Sequence, residues 1–478
     1  MVLGTWVYWD LVKNVPLILK PVDEHCEAKF VDSDVRPLFI PEVNRLKQLL
    51  AQEFGESAPS KIVRSDVLLC SQVKNYVDDM KMIIAEGDTL CYMFFDVRTM
   101  SWRVRLGPLG ASRAIQSDLV SWCVLPWRWF RRGVFSRSDF EEFHDRGTDQ
   151  VVILSRDRKI IGLGVCVKDK VIVIKKWRPR DISDTRELPR STWYDVLRSN
   201  EDNLYTLRSK VLRFIHTIVI GNRGRAMYVT FSGGKDSTVL LSLLLEYGID
   251  AKILFNDTKL EHPETYGVLE HYMKKLGCEI EVIKSDIDFM SEVMRRGPPA
   301  RDYRWCTRYL KVRPTIRYWK RVSRPILCFT GLRKLESLSR AKLKKVFKQY
   351  EEPNVVYVAP LLDWNSLMEW LFILWRSLPY IPLYLLGYER IGCFMCPSCT
   401  LAEHRIVKVL HPDLWSTWED VLRNFAQKHN LPSEWVTYEL WRWLGDAPKK
   451  RILCRLIRRD DLAREYSYAV EYREEPLV

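Results

Sequence analysis

The sequence lacks an uninterrupted apolar run long enough to cross a membrane. Its most apolar stretch, residues 367–386, is interrupted by charged residues and prolines: Glu369, Arg376, Pro379 and Pro382. A lipid-facing helix would accommodate these residues poorly. The first residues also lack the basic start, apolar run and cleavage site of a secretory signal. We therefore expect a cytoplasmic protein without membrane association.

Its twelve cysteines should be mostly reduced, and closely spaced ones are candidates for metal or redox chemistry.

The composition has too much apolar material for a long disordered chain. Hydrophobic residues make up 47% and charged residues 28% of the 478 residues, as in well-packed proteins. This length predicts several domains rather than one core. We interpret residues 1–125 as an α+β module, 126–185 as a small β domain, 200–385 as an α/β domain and 386–478 as a basic helical region with a cysteine cluster.

The α/β interpretation depends on hydrophobic periodicity from about residue 207 onward. Strands are predicted at residues 226–231, 251–255 and 279–283, and each is followed by a helical pattern. Strands that alternate with helices in this way form parallel sheets, which bind ligands at the carboxyl ends of their strands. A ligand site is therefore predicted just after the first strand.

A phosphate-binding loop is predicted at that position, and it has six residues: Ser232, Gly233, Gly234, Lys235, Asp236 and Ser237. Its three small residues let backbone N–H groups converge on an anion, and the following helix adds the positive end of its dipole. The lysine can offset negative charge, the last serine can donate a hydrogen bond, and the aspartate can hold Mg²⁺ or cap the helix. A glycine turn with unrelated polar neighbours is the alternative.

The loop and the motifs after it resemble the PP-loop family of adenine nucleotide alpha-hydrolases, and more closely its phosphoadenosine phosphosulfate (PAPS) reductase branch. The matching motifs are Phe255-Asn256-Asp257-Thr258, Glu261-His262-Pro263-Glu264-Thr265, Arg304-Trp305-Cys306-Thr307, Lys311, Pro314, Gly331, Arg333, Glu336, Ser337, Arg340, Pro360-Leu361, Trp364 and Gly387-Tyr388-Glu389-Arg390-Ile391-Gly392-Cys393. The resemblance covers about residues 207–411. It implies a Rossmann-like parallel sheet and an enzyme that binds an adenine nucleotide.

The resemblance also implies roles for individual residues. The six loop residues would bind the outer phosphates, and Asp257 would reach the ribose or a metal ion. Arg333 and Lys311, with Arg313, would place positive charge over the reacting phosphate or sulfate, which makes Lys235, Asp236, Lys311 and Arg333 the candidate catalytic set. Each basic residue could instead form a structural ion pair.

A cysteine cluster follows the α/β domain. Cys393, Cys396 and Cys399 are spaced so that three thiolates can reach one metal centre. In related proteins the segment that contains Cys306 approaches the same end of the sheet, so Cys306 is the predicted fourth ligand. Four thiolates suit a 4Fe-4S cluster, and zinc is the alternative.

The formal charge of +14 suggests a polyanionic partner such as RNA. The β pattern at residues 126–185 resembles a PUA-like RNA-binding barrel. Basic and aromatic residues flank it and could grip phosphates and stack bases, or could form an ordinary solvated rim: Trp127, Trp129, Arg131, Arg132, Lys175, Lys176, Trp177, Arg178 and Arg180.

The reaction is predicted from the form of the loop. Ser-Gly-Gly-Lys-Asp-Ser is the ATP-cleaving form, whereas sulfonucleotide reductases usually carry an altered loop. We therefore expect cleavage of ATP to AMP and pyrophosphate, adenylation of an acceptor, and sulfur transfer to RNA from a sulfur donor. Reduction of PAPS or adenylyl sulfate, with Cys454 or cluster-bound sulfur as acceptor and thioredoxin as reductant, is one alternative. A non-catalytic RNA-binding protein is the other.

Overall fold

The structure is a computed structural model that describes residues 6–21, 27–126, 132–182 and 188–464, together with Tyr466 and Tyr468. Trp127, Trp129 and Arg131, predicted to contact RNA, lie outside the described residues. The chain forms two compact units. The first contains most residues up to Glu201, and the second begins at Asp202 and includes the short segments Val77–Asp79 and Val97–Met100.

The first unit contains three sheets, with strand orders β2-β1-β3, β4-β5-β6-β7-β8 and β10-β14-β13-β12-β9-β11. Its strands are β1 (Val7–Asp10), β2 (Val15–Leu17), β3 (Ala28–Asp32), β4 (Arg36–Pro37), β5 (Leu69–Gln72), β6 (Met80–Ala85), β7 (Asp88–Asp96), β8 (Ser101–Leu106), β9 (Ser121–Val124), β10 (Val134–Ser136), β11 (Glu142–His144), β12 (Gln150–Leu154), β13 (Ile160–Val167) and β14 (Lys170–Arg180). Its helices are α1 (Ile40–Phe54), α2 (Ala58–Ile62) and α3 (Pro108–Gln116).

The six-stranded sheet of the first unit contains most of the small β domain that the sequence predicts at residues 126–185. Tight turns separate strands β12, β13 and β14, with Arg158 and Lys168 at positive φ. Strand β12 is buried throughout, whereas β14 alternates buried and exposed residues over its first half, as expected for a strand with one solvated face. Strand β9 pairs in parallel with β12, so this sheet begins before residue 126. The likeness to a PUA barrel stays a prediction.

The second unit is built on a six-stranded sheet of order β17-β16-β15-β18-β20-β19, parallel except for its edge strand β19. Its strands are β15 (Ala226–Thr230), β16 (Lys252–Asp257), β17 (Ile280–Lys284), β18 (Ile326–Thr330), β19 (Val346–Phe347) and β20 (Val355–Val358). The predicted α/β class with a parallel sheet is confirmed. The chain leaves the central strand β15 toward β16 on one side and returns to β18 on the other, and such a switch point opens a crevice for a ligand.

Helices connect these strands and form the C-terminal region. They are α4 (Trp193–Gly221), α5 (Lys235–Tyr247), α6 (Pro263–Leu276), α7 (Phe289–Arg296), α8 (Trp305–Thr307), α9 (Arg313–Trp319), α10 (Leu338–Ala341), α11 (Ser366–Trp375), α12 (Leu401–Leu410), α13 (Pro412–Lys428), α14 (Ser433–Thr437) and α15 (Pro448–Leu456). Helix α4 begins at Trp193, before the α/β periodicity that we read from about residue 207 onward. Helix α11 is almost wholly buried. Across the described residues, no helix combines the length and apolarity that spanning a bilayer requires.

Candidate active site

The predicted phosphate loop connects β15 to α5 and is closed by its own polar groups. Gly233 has a φ of +73°, a conformation that glycine adopts without a steric penalty. The Ser237 hydroxyl donates to the Gly234 carbonyl at 2.8 Å and accepts from the Ser232 amide at 3.2 Å. The Tyr384 hydroxyl accepts from the amide of Lys235 at 3.2 Å. These hydrogen bonds hold the loop in one defined shape.

Four charged side chains meet beneath the loop, and we call them the charge quartet: Lys235, Asp236, Arg333 and Glu369. Lys235 Nζ lies 2.7 Å from Asp236 Oδ1 and 2.9 Å from Glu369 Oε2. Arg333 Nε lies 2.7 Å and 3.0 Å from the same two oxygens. The quartet thus joins helix α5, the loop after β18 and helix α11. Two cations and two carboxylates at these distances hold one another in place.

Burial acts differently on the two carboxylates of the quartet. Burial raises the pKa of Glu369 well above its ordinary value, and Asp236 adds to this rise against the attraction of Arg333. For Asp236, burial is outweighed by Lys235 and Arg333, which hold its pKa well below the usual range. Asp236 is therefore the more acidic of the two carboxylates of the quartet.

Glu369 is a site residue that our sequence analysis missed. It is completely buried, and a charged side chain is rarely found so deep unless it has partners. The available signal was a single acidic residue in an otherwise apolar run, which we used only to argue against a membrane helix. Tyr384, in the same run, was missed as well.

A cavity of about 330 Å³ opens above the quartet at the carboxyl ends of β15, β16 and β18. Its lining includes the loop residues Ser232, Gly234, Lys235, Asp236 and Ser237, and beyond them Asn256, Glu261, Lys311, Arg333, Glu336, Arg340, Arg390 and Gly392. The cavity therefore collects most of the predicted nucleotide-binding and catalytic residues at the switch point of the sheet.

Asp257 is placed differently from the other predicted nucleotide-binding residues. Its carboxylate accepts from the Tyr266 hydroxyl at 2.7 Å and from the Lys259 amide at 2.9 Å. Asn256, its neighbour in β16, lines the cavity instead, because successive residues of a strand point to opposite faces. Arg313 stacks on the ring of Tyr309 and is absent from the described lining of the cavity. The nucleotide-binding role of Asp257 stays a prediction.

The three late cysteines lie in a loop made of two successive turns. The amide of Cys396 donates to the Cys393 carbonyl at 3.0 Å, and the amide of Cys399 donates to the Cys396 carbonyl at 2.9 Å. Cys393 also forms an isolated β-bridge with Glu261, which attaches this loop to the turn after β16. The cysteine loop is thus held at the ligand-binding edge of the sheet.

Cys306 approaches this loop from helix α8. Its thiol interacts electrostatically with two thiols of that loop. A negative charge on Cys396 raises the pKa of Cys306, and negative charges on Cys306 and Cys396 raise the pKa of Cys393. Burial raises the pKa of Cys306, and burial with Glu261 raises that of Cys393 to about 12. A hydrogen bond from Cys399 lowers the pKa of Cys396 well below its ordinary value. The segment of Cys306 lies against the cysteine loop, where Arg304 donates to the Ser398 hydroxyl at 2.5 Å, and the four-ligand set stays a prediction.

Lys311 stands between the thiols and the cavity. It belongs to a π-helical turn, Arg308–Val312, inserted between α8 and α9, and such turns are frequent at functional sites. Its ammonium group lies 3.7 Å from Glu261, and its pKa is raised because Cys393 and Glu261 outweigh the effect of burial. Lys311 and Glu261 both line the cavity, so the two halves of the site share these side chains.

Buried cations fix the backbone of the cysteine loop. Arg442 donates to the Cys399 carbonyl at 2.8 Å, and Arg301 donates to the carbonyls of Pro397 and Cys399 at 2.8 and 2.9 Å. His404 lies 3.2 Å from the Cys396 carbonyl and 2.6 Å from Glu439. These groups orient the loop and place positive charge beside it, as a group bound by four thiolates requires.

Four cysteine thiols are the right kind of ligand for a thiolate-bound centre, but their side chains are not arranged around a single metal ion. In the described part of the chain, no three His, Cys, Asp or Glu side chains converge as the ligands of one metal ion. Arg301, Arg304 and Lys311 place positive charge near these thiols, as an iron–sulfur cluster bound by thiolates would require.

The basic rim predicted in the first unit is only partly available to a ligand. Arg132, Lys175 and Arg178 are exposed. The ring of Trp177 packs against the hydrophobic core, and Arg180 pairs with Asp88. The exposed cations could contact phosphates, whereas the packed face of Trp177 is not available for base stacking.

Comparison with known proteins assigns the family. A family model described as the phosphoadenosine phosphosulfate reductase domain matches residues 226–399. The uncharacterized protein MJ0066 of Methanocaldococcus jannaschii is 30% identical to this chain, over 91% of the chain and 95% of its own length. The chain belongs to the PAPS reductase family. The related proteins of this family are enzymes, and the cavity is the candidate active site of this chain.

Two further comparisons cover part of the chain. The adenosine 5′-phosphosulfate reductase of Staphylococcus epidermidis is 29% identical over 35% of this chain and 68% of its own length. The crystal structure of PAPS reductase from Candida auris, a phosphate complex, has a TM-score of 0.32 and 19% identity, and covers 40% of this chain and 94% of that chain. The first unit has no counterpart in the matched segment of the family model.

Gly331 offers a test of the close packing around the phosphate loop. A Cβ atom at Gly331 would lie 2.8 Å from the carbonyl carbon of Asp236 and 2.8 Å from the amide nitrogen of Ser237. We expect Gly331→Ala to displace the first turn of α5, to destabilise the unit by about 1–3 kcal/mol and to weaken ATP binding roughly tenfold, measured by calorimetry. Gly392→Ala is the matched control, because Gly392 lines the same cavity and its Cβ would meet nothing within 4 Å. Equal ATP affinities for the two variants would contradict the prediction.

Proposed function

We propose that this PAPS reductase-family protein binds ATP and Mg²⁺, adenylates an acceptor with release of pyrophosphate, and transfers sulfur to RNA with the help of a 4Fe-4S cluster. The observation that carries the proposal is that the phosphate cavity and the cysteine cluster share two side chains. Lys311 and Glu261 line the phosphate cavity and interact with Cys393. A nucleotide and a thiolate-bound centre that share these side chains could act on the same acceptor atom.

The adenylation step follows from the charge quartet and the loop. An acceptor oxygen attacks the α-phosphorus of ATP, the bond from that phosphorus to the bridging oxygen breaks, and pyrophosphate leaves with the electron pair. The loop amides, Lys235 and Arg333 would stabilise the departing charge, and Asp236 would help to hold Mg²⁺ beside the phosphates. Because the loop is already shaped, little reorganisation is required when the nucleotide binds.

In the second step, sulfur replaces the activated oxygen. A sulfur nucleophile attacks the adenylated carbon, and AMP leaves with the original acceptor oxygen. Cys306, Cys393, Cys396 and Cys399 would hold the 4Fe-4S cluster, and an iron of that cluster would bind the sulfide to be transferred once one of the four thiolates leaves it. Lys311, between the thiols and the cavity, would stabilise the phosphate of the departing AMP.

An anaerobic reconstitution tests the proposal directly. The purified chain is analysed for iron, acid-labile sulfide and zinc, and then incubated with ATP, Mg²⁺, sulfide and small RNA. We expect iron and sulfide in the protein, and equal amounts of AMP and thiolated nucleoside after reaction. Absence of RNA-dependent AMP would contradict the proposal, zinc in place of iron would contradict the cluster, and RNA binding without ATP binding would indicate the non-catalytic alternative.

Sulfonucleotide reduction is the second candidate, because relatives of this chain are named adenosine 5′-phosphosulfate reductases. It predicts sulfite from adenylyl sulfate or PAPS in the presence of thioredoxin. One version uses a nucleophilic cysteine near the C-terminus, where Cys454 is available. Cys454 is completely buried in α15, and burial raises its pKa to about 11. A thiol in this state is a poor nucleophile.

We expect Cys454→Ser to keep the activity of the wild type, whether that activity is sulfur transfer or sulfite release. The buried hydroxyl should lower the free energy of unfolding by about 1–2 kcal/mol. Turnover of the purified variant and its thermal unfolding check these expectations. Loss of sulfite release with unchanged ATP binding would instead identify Cys454 as the reductase nucleophile.

A further inference from the structure

An exposed basic segment begins at the wall of the nucleotide cavity. Arg333, Glu336 and Arg340 line the cavity, and the chain then runs through α10 to the edge strand β19. We call residues 337–350 the basic segment. Its first turn is thus part of the cavity rim, and the rest of it leads away along the edge of the sheet.

The charge of this segment has one sign. Between residues 337 and 350 the sequence contains neither aspartate nor glutamate, and its cations are Arg340, Lys342, Lys344, Lys345 and Lys348. Arg340 pairs with Glu336, and Lys345 pairs with Asp363. Lys342, Lys344 and Lys348 are exposed and form no ion pair with any acidic side chain in the described residues. They leave positive charge available to an external polyanion.

Two large apolar side chains accompany these lysines. The side chain of Tyr350 is fully exposed, at 100%, and that of Leu338 is 91% exposed. Because water solvates such side chains poorly, an exposed aromatic ring beside unpaired lysines favours a partner with both flat apolar faces and negative charge. Unpaired nucleotides have both, since bases stack on aromatic rings while phosphates contact lysine. A membrane surface is less well matched, because helix α10 has four residues and interfacial helices are much longer.

We propose that the basic segment is a docking surface for single-stranded RNA that leads the acceptor nucleotide to the cavity. This inference rests on the proposed function for the identity of the acceptor. The segment adds what the cavity lacks, a path of phosphate contacts that ends at Arg340 on the rim. The acceptor base enters beside the phosphates of ATP while the neighbouring nucleotides lie along the three free lysines and Tyr350.

The test uses the full chain and a fluorescein-labelled single-stranded RNA of mixed sequence, with binding followed by anisotropy over a range of salt concentrations. The variant replaces Lys342, Lys344 and Lys348 by alanine. We expect its RNA affinity to fall at least tenfold near 0.1 M salt, and the slope of log K against log salt to decrease by roughly 2, from about 0.7 for each lost phosphate contact. Tyr350→Ala should weaken binding roughly tenfold with little change in that slope. MgATP affinity should stay at the wild-type value.

The matched control replaces Lys210, Lys320 and Lys428 by alanine. These lysines are also exposed in the second unit, so the change in net charge is identical. An equal loss of RNA affinity in the control, or no loss in the basic-segment variant, would overturn the proposal. Preferential binding of the segment to vesicles of anionic phospholipid over RNA would overturn it as well. RNA binding that depends on the segment in a protein that forms no AMP would contradict the proposed function and leave the docking surface in place.

Discussion

Replacing Cys306 with serine should abolish sulfur transfer and leave ATP binding within about threefold of the wild type. Cys306 lies in α8, a segment separate from the cysteine loop that contains the other three thiols. A serine hydroxyl does not ionise as a thiol does, so one of four thiolate ligands would be lost. Loss of a supporting partner of a metal ligand typically costs 10–100-fold, and loss of a ligand should therefore reduce turnover by more than about 100-fold.

The measurement for Cys306→Ser combines iron and sulfide content with single-turnover formation of thiolated RNA under anaerobic conditions. Cys166→Ser is the control, since Cys166 is a partly exposed thiol of the first unit, whereas the cysteines of the proposed cluster belong to the second unit. A Cys306→Ser protein with full iron content and full turnover would show that the centre needs only the cysteine loop. If ATP binding fell in parallel, Cys306 would instead be a structural residue of the cavity.

Local sequence was sufficient to predict the phosphate loop. The strand, the loop and the helix are contiguous in the chain, and short-range rules govern each of them: small residues permit the turn and a buried helix follows. The structure has α5 begin at Lys235, within two residues of the predicted helix. Contiguity also explains why the spacing of Cys393, Cys396 and Cys399 was informative.

The charge quartet could not be found in this way. Glu369 lies in α11, far along the chain from Lys235, and it meets the loop only because the helix packs against α5. No spacing rule connects the two residues. A lone carboxylate in an apolar helix predicts a buried partner, but only tertiary structure identifies which cation it is.

Asp257 illustrates a different limit. The motif that contains it was identified, but the residue that faces the cavity is Asn256. A change of one position along a strand transfers a side chain to the opposite face, so correct identification of an element does not decide which of two neighbours touches a ligand. Hydrogen bonds from Tyr266 and Lys259 hold the carboxylate of Asp257, and one of these donors lies in the following helix, which sequence spacing does not reveal.

Replacing Lys235 with methionine should weaken MgATP binding by about 10³-fold. Methionine keeps the length and apolar stem of the side chain and removes only the charged group. Asp236 and Glu369 would then face Arg333 alone, so the pocket would repel phosphates that the wild type attracts. One unit charge at about 4 Å in an effective dielectric of 20 corresponds to about 4 kcal/mol, which is close to a factor of 10³. The free energy of unfolding should also fall by roughly 3–5 kcal/mol, because a buried carboxylate loses its partner.

A double variant separates the two roles of Lys235. Adding Glu369→Gln to Lys235→Met removes the excess buried charge, because Asp236 and Arg333 then balance each other at 2.7 Å. We expect thermal stability to return most of the way to the wild-type value while MgATP affinity stays low, since the cation that we propose to contact the phosphates is still missing. The non-additivity of the two substitutions in unfolding then measures the coupling between Lys235 and Glu369. If the double variant also regained MgATP affinity, Lys235 would be only a counter-ion for Glu369, and phosphate binding would depend on Arg333 and the loop amides.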